Sequence, residues 1–277
     1  MNNREYRKQL AEETLQILDK GFYTSVSGKK IDISQLQHKA EQFTKVYTPE
    51  ESDELLKQLP YTTADFETNI SVTNQATLDA VRMLIAEGHE DVLCLNFASA
   101  KNPGGGFLGG SQAQEESIAR STGLYNCQIK TQGYYETNRK HKSCMYTDYM
   151  IYSPFVPIIK DEDGNNLNQQ MHCAIITAPA VNKGVVKHRE PGRLQDVEQV
   201  MKRRIRKVLA IARTNNHKTL VLGAWGCGVF QNDPNDIAVY FREVITSDFS
   251  HQFEKIVFAI YSSNPKFITP FMAEFEQ

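Results

Sequence analysis

The sequence predicts an α/β fold: a mainly parallel sheet covered by helices on both faces. Three observations carry this. Apolar runs of strand length, DVLCLNFA, KTLVLGAW and KIVFAIY, are bounded by polar turn residues. Longer segments with helical periodicity, such as QATLDAVRMLIAEG and LQDVEQVMKRRIRKVLAIART, lie between them. That alternation is the pattern of parallel strands joined by crossover helices. Finally, two glycine-rich stretches, NPGGGFLGG and GCG, each follow a strand. Ligands in such folds sit beyond the carboxyl ends of the strands, so the two stretches should meet on one rim.

Taken in order, residues 4–19 predict a polar amphipathic helix with Leu10, Thr14, Ile17 and Leu18 on one face. FYTSVSGKKIDI reads as a hairpin around Gly28. SQLQHKAEQF and TPEESDELLKQL read as helices. The second has Thr48 as cap, Pro49 in first position and Glu51 closing a capping box. Residues 1–60 are expected to be accessory helices packed on a core domain of residues 61–277. That core opens with the strand TNISVTN, then a helix capped by Asn74 and stopped by Gly88. Residues 126–148 are polar and expected to be irregular. YMIYSP, VPIIKD and HCAIITAP read as strands. The long helix that follows sets Val197, Val200, Met201, Ile205, Val208, Leu209 and Ala212 on one face. Its MKRRIRK stretch is expected to be solvated. DPNDIAVYFREVI, with Pro234 near its first turn, and PKFITPFMAEF read as the last helices.

Composition excludes several classes. A chain of 277 residues, 40% apolar, can bury a large core. A net charge of -2 gives no general basic field, so direct nucleic-acid binding is not expected. No apolar run approaches the ~20 residues that span a bilayer. The start, MNNREYRKQLAEETL, has no signal-peptide core. The five cysteines are odd in number and lack CxxC spacing, which suits reduced thiols in a cytoplasmic protein. The seven histidines show no metal spacing, and neither a metal nor another cofactor is expected.

The chemistry concentrates between Asn96 and Tyr125. Glycines cluster where a backbone needs positive φ or close approach, as at Gly104, Gly105 and Gly106. Ser111 and Gln114 have capping-box spacing, which starts a helix at Ser111 with Glu115 and Glu116 near its first turn. The loop is neither a Walker loop nor the dinucleotide fingerprint GxGxxG. A tight turn alone explains either glycine cluster. Two clusters on one rim favour a diphosphate held by backbone N–H groups and a helix N-terminus. Acids in a first turn commonly just complement the helix dipole. Here one of them could protonate a glycosidic oxygen. Adjacent helical residues point ~100° apart, which gives the two acids different roles. The general acid must have its pKa raised by desolvation or by the substrate's phosphates. Phe230, just past the second cluster, is either a core side chain or, as a Phe after a Gly-rich loop often is, a face on which a base stacks.

Gly104-Gly105-Gly106, seven residues, then Gln114-Glu115-Glu116 resembles the signature of bacterial, microbial-type poly(ADP-ribose) glycohydrolases. NFASAKNPGGGF, QEESIARSTGLY and GAWGCGVFQNDP are also similar to that family, and the likeness covers most of the chain. The resemblance implies a macrodomain-like three-layer α/β/α sandwich with a mixed, mainly parallel central sheet and an N-terminal helical extension. It implies hydrolysis of ribose–ribose O-glycosidic bonds, with Glu116 as general acid/base and Glu115 orienting the ribose. The triglycine loop would hold the diphosphate and distal ribose, with Asn102 on that ribose. Gly226, Gly228 and Val229 would cradle the diphosphate from the other side, and Phe230 would stack on the adenosine end. Asn96, Gln114 and Cys227 complete the substrate-binding set. The long accessory region of the animal enzymes is not seen, so cleavage is expected at polymer ends. The expected partners are ADP-ribose and poly(ADP-ribose) on modified proteins, with the protein acting as a monomer. The rival readings are an ADP-ribose reader without turnover and a hydrolase of mono-ADP-ribosylated protein or nucleic acid.

Overall fold

The computed structural model describes residues 3–58 and 66–276. The expected domain boundary near residue 60 lies outside the described residues. In chain order the elements are α1 (Asn3–Lys20), β1 (Phe22–Thr24), β2 (Lys30–Asp32), α2 (Ser34–Phe43), β3 (Lys45–Tyr47), α3 (Pro49–Gln58), β4 (Asn69–Thr73) and α4 (Thr77–Ala86). They continue with β5 (Val92–Phe97), α5 (Gln114–Ser121), α6 (Leu124–Ile129), α7 (Gln132–Lys140), β6 (Met150–Lys160), β7 (Asn166–Ala178) and α8 (Lys183–Arg189). The last are α9 (Val197–Thr214), β8 (Thr219–Leu222), α10 (Pro234–Asp248), β9 (Lys255–Ala259) and α11 (Thr269–Phe275).

Seven strands form one sheet in the order β3-β6-β7-β5-β8-β9-β4. From β7 to β4 all pairings are parallel, whereas β6 and β3 are antiparallel. Alternation along the strands divides the core into two layers. Leu93, Leu95, Leu220, Leu222, Ile256 and Phe258 face Met201, Ile205, Phe241 and Phe271 of α9, α10 and α11. Val92, Cys94, Val221 and Val257 face Leu78, Val81, Leu84 and Ile118 of α4 and α5. The sheet is therefore mixed, mainly parallel and covered on both faces. None of the described helices is long and apolar enough to cross a membrane.

Several elements differ from the sequence reading. Residues 1–60 are more than an accessory layer, because β3 pairs with β6 as an edge strand of the main sheet. The Thr48–Glu51 capping box forms, with N–H to side-chain oxygen distances of 2.9 and 3.2 Å. Asn74 does not cap α4. Its side chain bonds Ser262, and the capping position is Ala76. YMIYSP and VPIIKD are one strand, β6, bent by a register shift between Ser153 and Val156, where Phe155 takes φ 57°. Residues 126–148 contain helix α7, whose polar sequence hides the fully buried Tyr134 and Tyr135.

MKRRIRK is not wholly solvated: Arg204 and Lys207 are buried. Arg204 Nε lies 2.8 Å from Asp148 Oδ1, and its other nitrogens donate to the carbonyls of Pro179, Met145 and Tyr146. Arg203 Nε and Lys207 Nζ lie 2.5 and 3.6 Å from Asp148 Oδ2. Burial pushes the Asp148 carboxyl up, but the Arg204 and Arg203 guanidiniums overcome it and hold it down to about 2.

Candidate active site

β5 and β8 are parallel neighbours, with Cys94 opposite Val221, so the loops that follow them leave on the same rim. They also touch there: a Cβ on Gly223 would come 3.0 Å from the Phe97 ring. The sheet thus brings together two sequence clusters more than a hundred residues apart.

The first loop is a run of tight turns. Gly104 and Gly105 take φ 63° and 58°, the left-handed region that favours glycine, while Gly106 does not. Gly105 N–H donates to Asn102 O at 3.0 Å and Phe107 N–H to Gly104 O at 3.2 Å. Gly106 N–H donates to Glu116 Oε1 at 3.0 Å. The triglycine stretch therefore spends these N–H groups internally, and one of them fixes the half-buried Glu116 carboxylate. The phosphate cradle expected here fits the second loop better. After Gly226, at φ 74°, the successive N–H groups of Gly228, Val229 and Phe230 have no protein partner among the described residues, and Gly228 and Val229 are exposed. Such a concave row of N–H groups suits an anion. Asn232 donates to the carbonyls of Gly226 and Val181, which ties this loop down. The thiol of Cys227 is buried, so only its backbone faces the site. Phe230 is half-buried and tilted against Tyr146, ring centroids 6.0 Å apart.

α5 starts at Gln114, not Ser111, and no side chain caps it. The Ser111–Gln114 box fails because strand β5 claims the Gln114 amide. Gln114 Oε1 accepts from Phe97 N–H at 2.8 Å, and Gln114 Nε2 donates to Leu95 O at 2.7 Å. Gln114 therefore ties α5 to β5, and its Nε2 also donates to Thr77 Oγ1 at 3.1 Å. Asn96 is likewise tied inward: it is fully buried and donates to Glu115 Oε1 and Thr177 Oγ1, each at 3.2 Å.

The two acids diverge, as their spacing predicts. Glu115 turns inward and is 3% exposed. Its Oε2 accepts from Ser99 N–H at 2.6 Å, and its Oε1 also accepts from Gln128 Nε2 at 3.2 Å. Burial pushes its carboxyl up to about 8, with the Glu116 charge adding to the rise and the three donors opposing it. Its surroundings thus favour the protonated form of Glu115. The buried Asn96 Oδ1 and Gln128 Oε1 have no partner. Rotating either amide offers that proton an acceptor. Sequence reasoning missed Ser99, Gln128, Thr177 and Asn232. Ser99, inside NFASAKNPGGGF, and Asn232, inside GVFQND, carried a signal.

α1 holds the outer side of the loop. Arg4 Nε and Arg7 Nε each lie 2.8 Å from the carbonyls they bind, those of Gly109 and Gly110. Gly110, at φ 72°, abuts the Arg4 backbone, leaving no room for a Cβ. Phe107 packs with Ala11 and Ala119. Among the described residues, no group of three or more His, Cys, Asp or Glu side chains is placed to hold a metal ion.

Two predictions arise here. A Cβ on Gly105 would lie 2.6 Å from Glu116 Oε1 and 3.1 Å from Glu115 Oε2, so Gly105→Val should lower turnover as well as ADP-ribose affinity. Kinetics and calorimetry on a folded variant check this, and unimpaired turnover would detach the loop from the acids. Glu115 binds a proton when folded that it has released when unfolded between about pH 4.5 and 8. The unfolded state binds fewer protons there, so stability falls as pH rises, by up to ~1.4 kcal/mol per unit. Glu115→Gln should flatten that slope in urea unfolding. An unchanged slope would mean that Glu115 is ionised throughout the window.

Residues 11–161 match the family described as the microbial-type PARG catalytic domain. No curated protein matches the chain. Among solved structures, the poly(ADP-ribose) glycohydrolase of Thermomonospora curvata is 38% identical, with 98% of each chain covered and a TM-score of 0.93. The same enzyme bound to the inhibitor ADP-HPD superposes with a TM-score of 0.89, again at 38% identity and 98% coverage of each chain. The Deinococcus radiodurans enzyme in complex with ADP-ribose is 42% identical over 87% of this chain and 97% of its own, with a TM-score of 0.83. The chain belongs to the microbial-type poly(ADP-ribose) glycohydrolase family.

Proposed function

We propose that this protein binds the terminal ADP-ribose of poly(ADP-ribose) and hydrolyses its ribose–ribose O-glycosidic bond from the polymer end. The observation that carries this reading is the position of Glu116: half-exposed and fixed by Gly106 N–H of the loop after β5, on the rim shared with a second loop whose Gly228, Val229 and Phe230 N–H groups have no protein partner among the described residues. The relatives bound to ADP-ribose and to ADP-HPD support it.

The diphosphate lies on the N–H groups of Gly228, Val229 and Phe230, and the adenine on the Phe230 ring. Asn102 and the triglycine turn flank the distal ribose. Glu116, in its acid form when substrate is bound, gives its proton to the leaving ribose oxygen as the glycosidic bond breaks. The oxocarbenium-like centre that forms is stabilised by the neighbouring diphosphate. Glu116, now a carboxylate, removes a proton from the water that attacks. Glu115, buried beside Glu116 and held by Ser99, Asn96 and Gln128, orients the ribose. Both loops and both acids come from one chain, so the site needs no second copy; the enzyme is placed in the cytoplasm, in keeping with its five free cysteines, acting as a monomer on modified proteins. α1 closes the outer side of the loop, which supports attack at chain ends.

The test is incubation of purified protein with chain-length-defined poly(ADP-ribose), mono-ADP-ribosylated protein and ADP-ribosylated DNA. Monomeric ADP-ribose should dominate from the earliest times with the polymer. Early long free oligomers would refute end-cleavage, and binding without turnover of any substrate would make the protein a reader.

A further inference from the structure

Four cations stand next to the first loop with no acid assigned to them. Lys101 immediately precedes Asn102, and Arg139, Lys140 and Lys142 lie at and just beyond the end of α7. All four are exposed, and none joins an ion pair among the described residues. Glu136, the acid on α7, pairs with none of them. Arg139 Nε donates to Lys101 O at 2.8 Å, so the end of α7 is docked on the start of the loop. The link continues inward. Ser99 Oγ accepts from the N–H of Lys101 and of Asn102, and Ser99 N–H holds Glu115 Oε2. A basic ridge therefore begins two residues from a contact of the buried acid, in a chain whose net charge is -2.

We propose that this ridge is the binding surface for the part of the polymer that is not in the catalytic pocket. The inference rests on the reading that the site cleaves poly(ADP-ribose). The scissile bond lies beside Glu115 and Glu116, so the remaining chain must leave from that end of the site. On the loop's far side, α1 occupies the surface and its Arg4 and Arg7 are engaged with loop carbonyls. Lys101, Arg139, Lys140 and Lys142 themselves are exposed. Each ADP-ribose unit carries two phosphate charges, and four exposed cations beside the exit complement them. Such a surface raises the encounter rate of a polyanion and acts within a Debye length, ~10 Å at 0.1 M salt. It has no work to do on free ADP-ribose, which ends at the distal ribose.

The test compares wild type with the triple variant Lys101→Gln, Lys140→Gln and Lys142→Gln, retaining Arg139 for its bond to the loop. Substrates are long polymer and the shortest cleavable oligomer, each across a range of salt. At low salt, kcat/KM on long polymer should fall about 3–10-fold in the variant, and its salt dependence should flatten. Turnover of the short oligomer and calorimetric affinity for ADP-ribose should stay at wild-type values. Equal salt dependence in the two proteins on long polymer would overturn the ridge while leaving the catalytic reading intact. No wild-type turnover at either length would overturn both. In the Glu116→Gln variant, long polymer should compete for the ridge far better than single-stranded DNA of equal charge. Equal competition would reassign it as a nucleic-acid surface.

Discussion

Glu116→Gln is expected to lose about 10²–10⁴-fold in poly(ADP-ribose) turnover, the scale of general acid–base catalysis. The amide still accepts from Gly106 N–H, which holds the carboxylate at 3.0 Å in the native chain, so the loop keeps its shape. What is lost is the proton that must be given to the leaving ribose and then taken from water. That contribution belongs to the transition state and leaves ground-state binding largely alone. ADP-ribose affinity should therefore hold, or rise slightly as a carboxylate near the diphosphate disappears. The readout is paired: polymer hydrolysis and calorimetric binding on the same folded variant. Wild-type turnover in Glu116→Gln would move the acid elsewhere, and Glu115, pushed up to about 8 by burial, would be the next residue to test.

Asp148→Asn should produce the largest loss of stability. Asp148 is the anion for Arg203 and Arg204 and a second anion for Lys207, whose ammonium lies 2.8 Å from Asp53 Oδ1, and Arg204 is wholly buried. Removing its charge strands a buried guanidinium, which costs about 3–5 kcal/mol. For a chain of this size that corresponds to a fall in Tm of roughly 10 °C. The loss should reach the site as well. Arg204 grips the carbonyls of Met145 and Tyr146, and the Tyr146 ring lies against Phe230. Weaker ADP-ribose binding at temperatures where the variant is still folded should follow. A thermal midpoint equal to that of wild type would show that the three cations are satisfied without Asp148.

Much of this was legible in local sequence because the features are local. The strand–glycine–helix order around Gly104 and the second cluster after KTLVLGAW follow from chain periodicity alone, and the rim follows from two parallel neighbours. The divergence of Glu115 and Glu116 follows from helix geometry. What stayed hidden depended on partners distant in sequence. Gln114 has the spacing of a cap, yet β5 takes its amide. Asn96 looks like a ligand contact because it borders the loop, but its side chain points into the sheet toward Thr177. Lys207 and Arg204 read as solvated because no sequence rule announces that Asp148, more than fifty residues away, has come to meet them. Three-residue β3 is too short for any periodicity to show.

The tie between Gln114 and β5 has a consequence for how this site can vary. Its amide pairs with the strand's Phe97 N–H and Leu95 O as a neighbouring peptide unit would. The helix carrying both acids is thereby indexed to the sheet rather than to the loop that precedes it. Residues 107–112, gripped from outside by Arg4 and Arg7 of α1, lie between Gly106, whose N–H holds Glu116, and Gln114. Insertions or deletions within that stretch should leave the acids in place and alter only how α1 and the glycine turn frame the distal ribose. Chemistry and substrate fit are set by different parts of one short segment, so either can change without the other.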